Sequence, residues 1–200
     1  MENIKNKNNN KLVVRDFVTL GIFWVLYFVI YTMSAPLSLT LVGNLFIHGT
    51  CAILWGITFP LLCTKVNKPG VVFIYTALVG IVQIMNFWIT GLIIIVGAVI
   101  VEIVWRKLDR KKFSTIAICH ILVVVTMYLG LTLPLMILSR DFINQIPEYG
   151  RELFYNIYDL LQVQGYLFFL GLLSCVVGSI IGALLGKVLL KKHFIKAGIV

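Results

Sequence analysis

The sequence predicts an all-α membrane protein, a six-transmembrane-helix bundle with an amphipathic helix in the external loop between spans five and six. Three observations carry this. With 60% hydrophobic and 12% charged residues and a mean hydropathy of +1.00, the chain is too apolar for a soluble domain of 200 residues. Its apolar runs have transmembrane length and are separated by short polar segments. Finally, 15 of the 17 Lys and Arg fall in the segments that six spans place on one side, with only Arg140 and Arg151 opposite. The net charge of +9 is therefore a topology signal rather than the basic face of a soluble nucleic-acid-binding fold, and the expected surroundings are the lipid bilayer with no nucleic acid partner.

Residues 1–16 read as a disordered cytosolic arm, Asn- and Lys-rich with little apolar surface. Spans are expected over about 17–33, 39–62, 71–86, 91–105, 114–138 and 165–190, which together make one membrane domain over 17–190. The stretch Val71–Trp105 holds Glu102 as its only charge and as a single helix would be about 52 Å long, against a hydrocarbon core of about 30 Å. A turn within Asn86-Phe-Trp-Ile-Thr-Gly91 divides it and keeps Lys65 and Lys68 on the same side as the cluster Arg106, Lys107, Arg110, Lys111 and Lys112. Residues 191–200 form a basic tail. The positive-inside rule then puts the protein in the cell membrane as a multi-pass chain with both termini cytosolic.

Between spans five and six, Arg140–Gln164 is the one segment in which acidic residues outnumber basic ones. Leu153, Phe154, Ile157, Leu160 and Leu161 recur at helical spacing opposite Arg151, Glu152, Asn156 and Asp159, the pattern of an amphipathic helix lying on a surface. It is expected either as an interfacial helix anchored by Tyr149, Tyr155 and Tyr158 or as a lid.

Catalysis is not expected. No acidic residue lies deep in a span, Glu102 stands a turn from the basic loop where it finds a partner, and there is no metal-site, nucleophile-elbow or phosphate-loop motif. Cys51, Cys63, Cys119 and Cys175 lack CxxC spacing and read as small core residues, and no metal or cofactor is implied. What remains is a set of neutral polar and aromatic groups biased toward the outer half: Asn44, His48, Gln83, Asn86, Trp88, Tyr128, Gln164 and Tyr166. Polar groups are costly in lipid unless they face a cavity or a partner, so their common depth points to a small-molecule pocket open to the outside. His120, on the cytosolic half of span five, reads instead as a satisfied core histidine.

Span six carries Ser174, Gly178, Gly182 and Gly186 at every fourth residue, a strip along which another helix can approach closely. Packing within the bundle and docking of a partner are both compatible with it. The terminal run from Gly182-Ala-Leu-Leu-Gly186-Lys through Lys191-Lys192-His193-Phe194-Ile-Lys196-Ala197-Gly198-Ile199, with six short spans and Gly21-Ile-Phe in span one, resembles the Trep_Strep (MptD-like) group of substrate-binding S components of energy-coupling factor (ECF) transporters. The resemblance implies an importer of vitamin-like solutes. The S component captures solute outside, and a transmembrane T component couples it to a pair of ABC ATPases, which use the ATP, while the S component topples to deliver its load. Better known S components meet the T component through an Ala-xxx-Ala pair in span one; here Gly21-Ile-Phe-Trp-Val25 stands there. The resemblance therefore implies docking through Gly21, Thr76, Ala77, Gly80 and the span-six strip. Two other readings stay open: an assembly or scaffold protein that oligomerises through the strip, and a stand-alone facilitator.

Overall fold

The computed structural model describes residues 11–191; most of the expected cytosolic arm and basic tail, and the Tyr149 side chain, lie outside the described residues. The elements are α1 (Val14–Met33), α2 (Leu41–Lys65), α3 (Val71–Asn86), α4 (Trp88–Lys107), α5 (Phe113–Ile137), α6 (Glu148–Val163) and α7 (Tyr166–Leu189), with 3-10 turns at Ala35–Leu39 and Arg140–Gln145. No strand occurs among the described residues. The helices α1, α2, α4, α5 and α7 are long and apolar enough to cross a membrane; α3, at 16 residues, is apolar but shorter.

Two small-residue strips make the centre of the bundle. Helices α2 and α7 run parallel, with Gly49, Ala52 and Gly56 of α2 laid against Ser174, Gly178, Gly182 and Gly186 of α7. A Cβ on Gly182 would stand 2.5 Å from the Ala52 carbonyl oxygen and 2.7 Å from that of Ile53, and one on Gly49 would stand 2.5 Å from Ser174 Oγ. Backbones this close gain dispersion contacts that larger side chains would prevent, which is how helices associate where no hydrophobic drive exists. His120 of α5 joins the same place, its Nε2 lying 3.0 Å from the Ala52 carbonyl oxygen and its ring 5.5 Å from Phe59, so it is a satisfied core histidine. All four cysteines are free and buried beside these helices.

The long apolar stretch divides at a single residue. Phe87 is extended (φ −154°, ψ 102°) and buried, and Trp88, Ile89 and Thr90, expected as part of a longer turn, are already helical. Glycines allow this tight return: a Cβ on Gly91 would stand 2.5 Å from the Gly80 carbonyl oxygen, and one on Gly80 2.9 Å from that of Gly91.

At the other end of this hairpin the basic loops are knotted together. Glu102, only 6% exposed, accepts hydrogen bonds from the backbone N–H groups of Gly70 (2.6 Å) and Phe73 (3.2 Å) and pairs with Arg106 at 2.6 Å. A carboxylate at the N-terminus of α3 satisfies donors that no helical carbonyl reaches and complements the helix dipole. Trp105 Nε1 donates to the Lys68 carbonyl oxygen, Lys68 Nζ meets Asp16 at 2.6 Å, and Asn67 Nδ2 donates to the Arg110 carbonyl oxygen. Asp16 also accepts from the N–H of Val13, and this corrects the arm expected over 1–16. Val14, Arg15 and Asp16 are helical because the ion pair with Lys68 anchors a first turn that apolar content alone would not hold. Glu102→Gln, which keeps the shape but removes the charge, is expected to cost about 1–3 kcal/mol, read as a lower Tm in detergent.

Candidate functional site

At the end of the bundle away from the basic loops lies a cavity of about 270 Å³, lined from α1, α2, α3, α4, α5 and the segment entering α6. Its walls are set by local sequence. Trp24, Tyr27, Phe28 and Tyr31 fall at i, i+3, i+4 and i+7 and so share one face of α1. Tyr27 is fixed by stacking on Trp55 at 4.5 Å, Tyr31 stacks on the same indole at 6.4 Å, and the two tyrosine rings lie within 7° of parallel. Trp55 Nε1 donates to the Tyr27 carbonyl oxygen and locks the indole behind them. Asn44 enters from the second turn of α2, Gln83 and Asn86 from the last turn of α3, and Thr90 from the first turn of α4.

The roof is α6 and the chain before it, through Ile146, Pro147, Gly150 and Phe154. Leu153, Phe154, Ile157, Leu160 and Leu161 all turn toward the protein core, with Ile157 and Leu161 each 1% exposed, while Glu152, Asn156 and Asp159 face outward. The apolar face of this helix thus packs on the bundle itself. Local bonds hold the roof: Arg151 donates to the carbonyl oxygens of Asn144 and Ile146, Tyr155 Oη to Asn144 Oδ1, and Arg140 pairs with Asp159 at 2.9 Å.

Of the expected solute-site residues, Asn44, Gln83 and Asn86 are on the cavity wall. The others are placed differently. Trp88 points outward from the hairpin tip, where its Nε1 donates to Gln145 Oε1 at 2.6 Å, and so tethers the roof rather than lining the space beneath it. Tyr128 is fully buried against Gly171 and donates to the Phe168 carbonyl oxygen at 2.8 Å, tying α5 to α7. Gln164 and Tyr166 bond one another at the start of α7, with Tyr166 exposed. His48 sits one layer behind the wall, its ring 6.3 Å from both Tyr31 and Tyr128. Depth alone had grouped these residues; helix rotation separates them. The α1 aromatics and Thr90 were not expected, although the i, i+3, i+4, i+7 aromatic stripe was visible in span one.

Three polar atoms of the lining residues have no hydrogen-bond partner in the protein although they are buried: Trp24 Nε1, Asn44 Oδ1 and Thr90 Oγ1. Asn44 is 8% and Thr90 2% exposed. Buried polar groups are nearly always paired, and each unpaired one costs free energy, so three on the residues of one lining, against His48 Nδ1, Thr76 Oγ1 and Ser179 Oγ elsewhere, make this space the candidate site.

The expected docking residues are mostly inside the molecule. Ser174, Gly178, Gly182 and Gly186 face α2, Thr76 and Ala77 are buried, and Gly80 faces Gly91. This corrects the reading of the strip as a surface for a partner or a second copy, because the protein's own second span already occupies it. Gly21 alone of that set lies open, with nothing within 4 Å of a Cβ placed on it.

The model of the Trep_Strep family, described as hypothetical bacterial integral membrane proteins, matches residues 14–196. The chain belongs to this family. The match covers every helix among the described residues, from the first turn of α1 to the end of α7, and agrees with the apolar composition in making the chain an integral membrane protein with several apolar helices. No curated protein and no solved structure matches it.

Proposed function

We propose that this Trep_Strep protein is the substrate-binding component of an ECF-type importer, which captures a small organic, vitamin-like solute at the outer face of the bacterial cell membrane. A T component and a pair of ABC ATPases then drive uptake. The observation that carries the reading is the cavity of about 270 Å³ with its three unpartnered polar atoms, at the end away from the basic loops. Loops rich in Lys and Arg stay in the cytosol, so that end faces outward. The reading has six crossings, and the same geometry supports it. Glu102 of α4 bonds to Gly70 and Phe73 at the start of α3, and Gly80 packs on Gly91, so α3 reaches the depth that α4 reaches. At about 24 Å it crosses a locally thinned bilayer. The chain binds, and ATP hydrolysis belongs to its partners.

The test has two arms. A cysteine in place of Asp141 is expected to react with an impermeant thiol reagent applied to intact cells and one in place of Lys111 to remain unlabelled. The four native cysteines, each 0% exposed, leave the background low. Pull-down of the full chain from its native membranes is expected to bring a T component and two ATPases with it. The opposite labelling pattern would invert the topology, and a chain that supports uptake without those partners would make it a stand-alone facilitator.

A further inference from the structure

The lining of the cavity also restricts the chemistry of what enters it. Among the described residues that line it, none is Lys, Arg, His, Asp or Glu. The nearby cations are committed elsewhere, Arg151 to the carbonyl oxygens of Asn144 and Ile146, and Arg140 to Asp159 and to the Tyr155 ring at 4.7 Å, while Glu148 beside Pro147 is exposed. His48, its ring 6.3 Å from that of Tyr31, is not on the lining. A carboxylate or phosphate buried here would lose its hydration and meet no counter-charge, which is costly in a low-dielectric site, whereas aromatic faces still attract a cation. An acyl chain would satisfy the apolar wall and leave three polar atoms still unpaired.

The shape of the wall adds a second restriction. Trp24, Tyr27, Phe28, Tyr31, Phe87 and Phe154 supply aromatic surface, and the near-parallel Tyr27 and Tyr31 are held in place by Trp55 before anything binds. Rigid, pre-set rings favour a flat π-system by offset or edge contacts, with little ordering cost left to meet. The indole N–H of Trp24 is a donor only, the Asn44 oxygen an acceptor only, and the Thr90 hydroxyl either.

We infer that the solute is a planar heteroaromatic molecule that carries no anionic group and has hydrogen-bonding groups on its edge for the side chains of Trp24, Asn44 and Thr90. This rests on the reading of the cavity as the solute site. It selects nitrogen heterocycles whose edge carries adjacent donors and acceptors, and it excludes solutes with an anionic group on or beside the ring.

Equilibrium dialysis of the full-length chain in lipid nanodiscs tests it with two matched pairs of probes. Pterin is compared with pterin-6-carboxylate, and nicotinamide with nicotinate; within each pair the ring is kept and a negative charge is added. In at least one pair the uncharged member is expected to bind at least ten-fold tighter than its charged partner. Gly150→Trp, whose Cβ would meet Ile146 and Phe154 on the roof at ordinary contact distances of 3.8 Å and more, is expected to abolish that binding, with Ser38→Trp as a second filling variant should the first misfold. The absence of that preference in both pairs, the failure of both neutral probes included, overturns the inference. The two levels separate cleanly. A charged probe that binds and is expelled by the filling variants leaves the cavity as the solute site and removes the chemical class. A neutral probe that binds and is not expelled by them removes the cavity.

Discussion

Replacing Gly182 by leucine is expected to lower the Tm of the purified protein by on the order of 10 °C. The side chain would enter where Gly182 faces the carbonyl oxygens of Ala52 and Ile53, backbone atoms that cannot turn aside as the end of a flexible side chain does. Overfilling a packed interior commonly costs about 1–3 kcal/mol, and the cost rises when the only relief is to separate two helices. Separation would reach further than one contact, because α2 meets α7 along Gly49, Ala52 and Gly56, and the Ala52 carbonyl oxygen also meets His120 of α5. Gly21→Leu is the control: that position is open and exposed, so the stability should stay within about 0.5 kcal/mol of the parent. If Gly182→Leu kept its Tm and only lost a co-purifying partner, the strip would be a docking surface after all.

The strip illustrates what periodicity reveals and what it leaves open. Ser174, Gly178, Gly182 and Gly186 at every fourth residue establish that something approaches closely, but the spacing of one helix does not name its neighbour. Gly49, Ala52 and Gly56 on the second span were the missing half of the information, a complementary small-residue face that can be read in the sequence once the two are considered together. Helix bounds were accessible for a different reason. Charges and apolar runs alternate sharply here, so the break between α3 and α4 was expected near Asn86 from length and charge alone, and only its confinement to Phe87 was beyond them.

The cavity was half legible. Asn44, Gln83 and Asn86 came from the right premise, that polar groups in an apolar chain need a reason. The same premise also gathered Trp88, Tyr128, Gln164 and Tyr166, whose reasons turned out to be bonds to Gln145, to the Phe168 carbonyl and to one another. Composition cannot separate a polar group that is paired within the protein from one that is not, because that depends on helix rotation. It also passed over the main aromatic wall, because Trp24, Tyr27, Phe28 and Tyr31 look like ordinary span residues until their common face is noticed.

The unpaired state of Asn44 leads to an expectation in which stability and binding move in opposite directions. Asn44→Leu keeps nearly the same volume and removes an amide oxygen that is buried without a partner. Leaving such a group unsatisfied costs about 1–3 kcal/mol, so the solute-free variant is expected to melt a few degrees higher than the parent. Binding should move the other way. A solute that donates to that oxygen loses its partner and has to bury its own donor unpaired, which should weaken affinity at least ten-fold and leave the protein purified from native membranes without the small molecule that native mass spectrometry is expected to find in the parent. Function maintained at the expense of stability is the usual mark of a binding group, whereas a structural amide would lose both on replacement. Calorimetry of the solute-free variant decides between them: a fall in Tm would mean that Asn44 holds the fold together, and the cavity would lose the residue on which its assignment most depends.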